Sequence, residues 1–160
     1  MERKIIIGFF ILVAGAIGTW MASPLFYDRE VRESFEEIVA QKENEESGEQ
    51  PEATQPETVA QGTFAGLAGH SGEGTVSVVK AGDTYYVRFE ENFRTTNGPD
   101  LFVHLGRDGE YVAEARLGNL KGNIGSQNYE VPVGIDVSQY DEVWVWCRVF
   151  SVPFASAILR

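Results

Sequence analysis

Residues 62–160 are expected to form an all-β domain, a β-sandwich of about seven or eight short strands, preceded by one transmembrane helix and a flexible tether. Three observations carry this expectation. Short runs rich in Val, Tyr, Phe and Trp recur from Gly62 to Arg160, separated by Gly, Asn, Asp and Pro clusters, and helical periodicity is nearly absent there. Residues 5–27 contain no charged side chain, and residues 28–61 are strongly acidic.

The first 27 residues read as a signal anchor. At about 1.5 Å per helical residue, Ile5–Tyr27 is long enough to cross a hydrocarbon core roughly 30 Å thick. Arg3 and Lys4 precede the apolar run, and Asp28, Arg29, Glu30, Arg32 and Glu33 follow it. That bias keeps the N-terminus in the cytoplasm and sends the C-terminal domain outside, giving a single-pass protein of the cell membrane. A cleaved signal peptide fits less well, because the Ala14-x-Ala16 pair lies inside the apolar run and Trp20 sits third before a cut after Ala22. The expected partner of residues 5–27 is therefore the lipid bilayer.

Residues 28–61 hold 11 acidic and 3 basic side chains, and so carry −8 of the total charge of −11. Val31, Phe35, Ile38 and Val39 have helical spacing, which predicts a short amphipathic juxtamembrane helix. Residues 43–61 are Glu, Gln, Pro, Thr and Ser with little to bury, the composition of a disordered linker.

Within residues 62–160, Thr75–Lys80 and Thr84–Glu90 read as a hairpin through Ala81-Gly82-Asp83, where Gly82 supplies the positive φ a tight turn needs. Tyr85, Val87 and Phe89 should face a core while Thr84, Tyr86, Arg88 and Glu90 stay wet. Further strands are expected at Leu101–Leu105, Tyr111–Leu117, Tyr129–Val133, Val143–Phe150 and Phe154–Leu159. About 100 residues bury a sufficient core without disulfides or metal.

The composition argues against several functions. The acidic balance, with no basic run past the first few residues, disfavours nucleic acid. One cysteine precludes an intrachain disulfide or a multi-thiolate zinc site, and His70 and His104 lack ligand spacing, so no metal site is expected. His104 defaults to a hydrogen-bonded structural histidine, and His70 to an exposed glycine-rich loop that lacks a phosphate-loop ending. No Gly-x-Ser-x-Gly elbow occurs, and Asp100 reads as the end of a turn.

Val143–Phe150 is the most informative stretch. Alternation places Cys147 on the face of Val143, Val145 and Val149, and turns Trp144, Trp146, Arg148 and Phe150 the other way. Cys147 is either a small core residue or a redox thiol, the latter notable outside the cytoplasm. Trp144 and Trp146 are candidates for an aromatic binding ladder or relay, or for packing.

Gly62-Thr63-Phe64, Gly98-Pro99-Asp100-Leu101, the run from Leu117 through Leu120, Lys121, Gly122, Asn128 and Tyr129, and Trp146-Cys147 followed by Phe150 and Phe154 resemble the DM-thirteen electron-transfer domain. This is the Skeletor-type module found beside DOMON domains. The resemblance covers residues 62–160 in order. It implies a mostly β fold and a redox or electron-transfer role through a characteristic cysteine, which Cys147 matches. Where the family pattern has Phe-Gly, this chain has Phe154-Ala155. No cofactor is required by the sequence. The reading is of a non-enzymatic module with a redox or envelope protein as partner. The alternative is a binding module for a glycan or envelope protein, in which the cysteine is only structural.

Overall fold

The computed structural model describes residues 8, 9, 12, 13, 15, 27–46 and 55–160. The expected span, residues 5–27, lies mostly outside them; among the described residues no helix is long and apolar enough to cross a membrane. Among the described residues from 27 onward, the chain forms the α-helix α1 (Phe35–Glu46), a single 3-10 turn at Val137–Gln139, and ten strands: β1 (Glu57–Gly66), β2 (Gly72–Glu73), β3 (Thr75–Ala81), β4 (Thr84–Phe89), β5 (Arg94–Thr95), β6 (Leu101–Arg107), β7 (Glu110–Asn119), β8 (Gln127–Glu130), β9 (Glu142–Cys147) and β10 (Val152–Leu159).

Residues 57–160 are mostly β, as expected, but eight of the strands form a single antiparallel sheet where two facing sheets were anticipated. Its order is β7-β6-β9-β10-β1-β3-β4-β8, with β2 and β5 as a separate ribbon. Bulges interrupt β1 between Thr58 and Ala60, β10 between Pro153 and Ala155, and the β6–β7 pairing around His104. Such irregularities bend strands and increase their twist, which curls the sheet around one core. Every strand of the large sheet contributes to that core, including Phe64, Val78, Phe89, Val103, Ala115, Tyr129, Val145 and Ala157. The result is a flattened, nearly closed barrel.

The β3–β4 hairpin turns at Gly82, with φ +58°, and its register pairs Ala81 with Thr84. Val87 and Phe89 face the core as alternation requires, but the opposite face of β4 is not wet. Tyr86 is buried there because α1 lies across it, with the Phe35 ring edge-on at 5.4 Å. Val31 precedes the helix in an extended segment that pairs with Ile124 through Val31 N–H to Ile124 O at 2.9 Å. Residues 57–61, which composition assigns to the linker, are strand, held by backbone pairing to Lys80, Val79, Val78 and Ser77.

Candidate functional site

Cys147 is the last residue of β9. It is fully buried in the core cluster, between Leu101 of β6 and Val152 of β10. Alternation therefore assigned its face correctly with respect to Val143 and Val145. The strand stops there, however: residues 148–151 form a turn in which Ser151 has φ +52°, so Val149 and Phe150 are exposed hairpin-tip residues. The expected strand Val143–Phe150 is shorter because this turn must reverse the chain into β10.

Around the end of β9 the chain builds a rim. Asp100 does more than close a turn: its carbonyl accepts from Arg148 N–H at 3.0 Å and its carboxylate from Arg148 Nε at 2.7 Å. Gly98 lies so close to Leu101 and Phe154 that an added Cβ would sit 2.9 Å from each. The Phe154 ring, buried at the β10 bulge, stacks on His70 at 3.6 Å and 11°. His70 is thus an aromatic cap, not the exposed loop residue anticipated. Ala155, where a glycine was expected, is fully buried and pairs with Val145 and Gly66, away from the β10 partner of Cys147. Above the rim, a 410 Å³ cleft opens between Gly98–Leu101, Leu120–Asn123 and Tyr27–Arg29.

The loop that follows β7 walls this cleft through polar groups that sequence reasoning left without roles. Gln127 is fully buried. Its Oε1 accepts from Lys121 N–H at 3.0 Å, Gly122 N–H at 3.2 Å and the Tyr129 hydroxyl at 2.6 Å, while Nε2 donates to Gly122 O at 2.8 Å. Burial holds the Tyr129 phenol well above the ordinary tyrosine range, so it remains a donor. Asn123 bridges the loop to β5 by donating to Thr95 O at 3.2 Å. Lys121 Nζ meets both Glu33 carboxylate oxygens, at 2.7 and 2.8 Å, and Asn128 N–H donates to the same carboxylate at 2.8 Å. The Gly-Asn-Ile-Gly-Ser-Gln-Asn run was visible as a motif, but a buried polar network has no hydrophobic period to betray it.

On the outer face of the barrel, Trp144 and Trp146 share a side, as alternation predicts, but differ in environment. Trp144 is buried over Gly106, and its indole N–H donates to Glu142 at 2.6 Å. Trp146 is half-buried and lies 4.3 Å from the Tyr111 ring at 31°. Phe102, one strand away, is held between the guanidiniums of Arg116 at 3.8 Å and Arg148 at 4.9 Å. His104 is structural: Nδ1 meets Val112 O at 3.2 Å, and burial holds its pKa below the ordinary value. Among the described residues, no three His, Cys, Asp or Glu side chains converge as metal ligands.

The geometry is that of a curled β domain with one thiol sealed beneath a loop-built rim. Residues 63–159 match the family described as Electron transfer DM13, and the chain belongs to that family. No curated protein and no solved structure matches it.

Proposed function

We propose that this protein is a membrane-anchored electron-transfer domain displayed outside the cytoplasm, with residues 5–27 as the anchor and Cys147 as the redox residue. One observation carries the reading: Gly98, Pro99, Asp100, Leu120, Lys121, Gly122 and Phe154, the residues of the family resemblance, gather at the barrel end where β9 delivers Cys147. A single thiol exchanges electrons by thiol–disulfide exchange. Its thiolate attacks one sulfur of a partner disulfide, an S–S bond forms, and the other sulfur leaves as thiolate. The second thiol of a complete cycle belongs to the partner. Because Cys147 is sealed in the resting fold, exchange requires the rim to open locally, and the exposed Arg148–Asp100 pair is its clasp.

The test is the reaction of full-length protein with an aromatic disulfide that releases a coloured thiolate. The expected result is a measurable rate for folded protein that rises several-fold in Arg148→Ala. Reaction only at the global unfolding rate, unchanged by Arg148→Ala, would leave Cys147 as a packing residue. The rival reading, a glycan or envelope-protein binder, is favoured only by the half-buried Trp146–Tyr111 pair, since Trp144 is occupied by Gly106 and Glu142.

A further inference from the structure

We infer that the barrel end bearing the cleft lies against the bilayer, with Tyr27 and the Val149–Phe150 hairpin tip in the lipid interface. The inference rests on the membrane-anchor reading of residues 5–27 and adds to it an orientation and a contact surface.

The chain enters the domain at the cleft end. Tyr27, the last residue of the apolar run, is held at the rim by Asn97, whose Nδ2 donates to Tyr27 O at 2.5 Å. The residues that follow do not behave as a loose tether. Arg29 N–H donates to Asn123 Oδ1 at 2.7 Å, Val31 N–H to Ile124 O at 2.9 Å, and Glu33 N–H to Ser126 O at 3.0 Å. This is strand addition in parallel register, Glu30 opposite Ile124, with the Glu33 carboxylate locked by Lys121 and Asn128. Two glycines make the groove. A Cβ on Gly122 would overlap Arg29 O, and one on Gly125, which has φ +91°, would overlap Val31 O. The strap then runs away from the rim into α1, whose Phe35 packs on Tyr86. The segment that follows the apolar run is therefore bound to the domain from Tyr27 onward, and Tyr27 stands at the cleft end of the barrel.

That end also exposes apolar side chains. Tyr27 is 73%, Val149 60% and Phe150 58% exposed, and all three belong to segments that border the Gly98–Asp100 rim. Arg148 and Arg29 flank them, and the rim carboxylates are engaged, Asp100 by Arg148 and Asp28 by Asn123 at 2.8 Å. Aromatic and apolar side chains bordered by arginines are the composition of a membrane–water interface. The turns at the other end, Gly82-Asp83 and Asp108-Gly109, are polar, and the exposed apolar residues towards that end, Val59, Val133 and Ile158, lie on three separate segments, β1, the connection after β8 and β10, not together on one hairpin tip. A partner that reaches the cleft is then one resident in the membrane.

The experiment uses the full chain in vesicles of phosphatidylcholine and phosphatidylglycerol that carry a headgroup nitroxide. A bimane label is placed on Val149→Cys or on Asp83→Cys, each in a Cys147→Ala background. A seven-residue strand separates the two turns by about 20 Å, beyond the reach of one quencher layer. The expected result is quenching several-fold stronger at position 149 than at 83, with the difference lost when Glu33→Ala and Gly125→Val release the strap. Equal quenching at both positions in protein that floats with the vesicles overturns the orientation while sparing the anchor. A difference that survives strap release overturns the role of residues 28–33 in setting it. Protein that fails to float with the vesicles removes the anchor reading and the orientation together.

Discussion

The two ends of the barrel are built differently. At one end β3–β4 and β6–β7 reverse through tight turns, Gly82-Asp83 and Asp108-Gly109, the Glu142 carboxylate ties the second turn to Trp144 by accepting from Gly109 N–H at 2.9 Å, and the long β8–β9 connection, residues 131–141, buries no polar side chain. At the other end, long connections carry buried Gln127, Asn123, Thr95 and Ser126, a cleft, and the docked strap. Tight turns use little chain and leave no room for a ligand. Long loops must satisfy their own backbone, and the polar side chains that do so also shape a cavity. The thiol lies at the second kind of end, which is where a local opening is structurally affordable.

The comparison is sharpened most by equal treatment of the two ends. Phe154→Ala removes the ring between Gly98 and His70 and is expected to cost about 3–5 kcal/mol in urea unfolding. It should also speed the Cys147 reaction beyond what lost global stability explains. Val143→Ala, at the tight-turn end, is expected to cost about 2 kcal/mol with no such local gain. Gln127→Ala comes next, at roughly 2 kcal/mol, because it strands Gly122 N–H and the Tyr129 hydroxyl proton, whereas Lys121 N–H keeps the Tyr129 hydroxyl oxygen at 3.1 Å. A neutral effect on denaturant midpoint would mean that water replaces the amide.

The pH response is smaller and belongs to the outer face. Burial, the leading cause, and the Arg116 charge depress the His104 pKa, while the Val112 carbonyl opposes them. A histidine depressed in the folded state binds its proton more readily once unfolded. Its contribution is thus complete above about pH 6.5 and declines as pH falls through that value towards the folded pKa. Thermal melting from about pH 7.5 to 5.5 should show this decline, and His104→Gln should flatten it. The smallest effect on stability is expected from Arg148→Ala, below about 1 kcal/mol, since its partner Asp100 is met by an exposed guanidinium. Its consequence should appear in thiol reactivity.

Alternation and turn residues were enough to locate β3, β4, β6, β7, β9 and β10 and to separate the face of Cys147 from that of Trp144 and Trp146. They were insufficient wherever the backbone supplies the stability. Glu57–Gln61 is exposed apart from Ala60 and has no alternating apolar pattern, yet it is strand because it pairs with β3, and Gln61 exchanges hydrogen bonds with Arg160 at 2.8 and 3.0 Å. The strap at residues 28–33 is held by strand addition and glycine clearance, neither of which leaves an apolar period. β2 and β5, two residues each, are too short to show one. The candidate site was half readable: Cys147, Asp100 and the glycine-rich loop stood out as residues, but the Gln127 network and the Glu33–Lys121 bridge exist only in three dimensions.

The central claim is that Cys147 is reached by opening one end of the barrel while the rest stays folded. The most direct measurement is its alkylation rate in the full chain at increasing urea, well below the unfolding transition. Local opening exposes little surface, so the account predicts a rate nearly independent of urea there. A rate that climbs with the full slope of global unfolding from the lowest urea onward would contradict it.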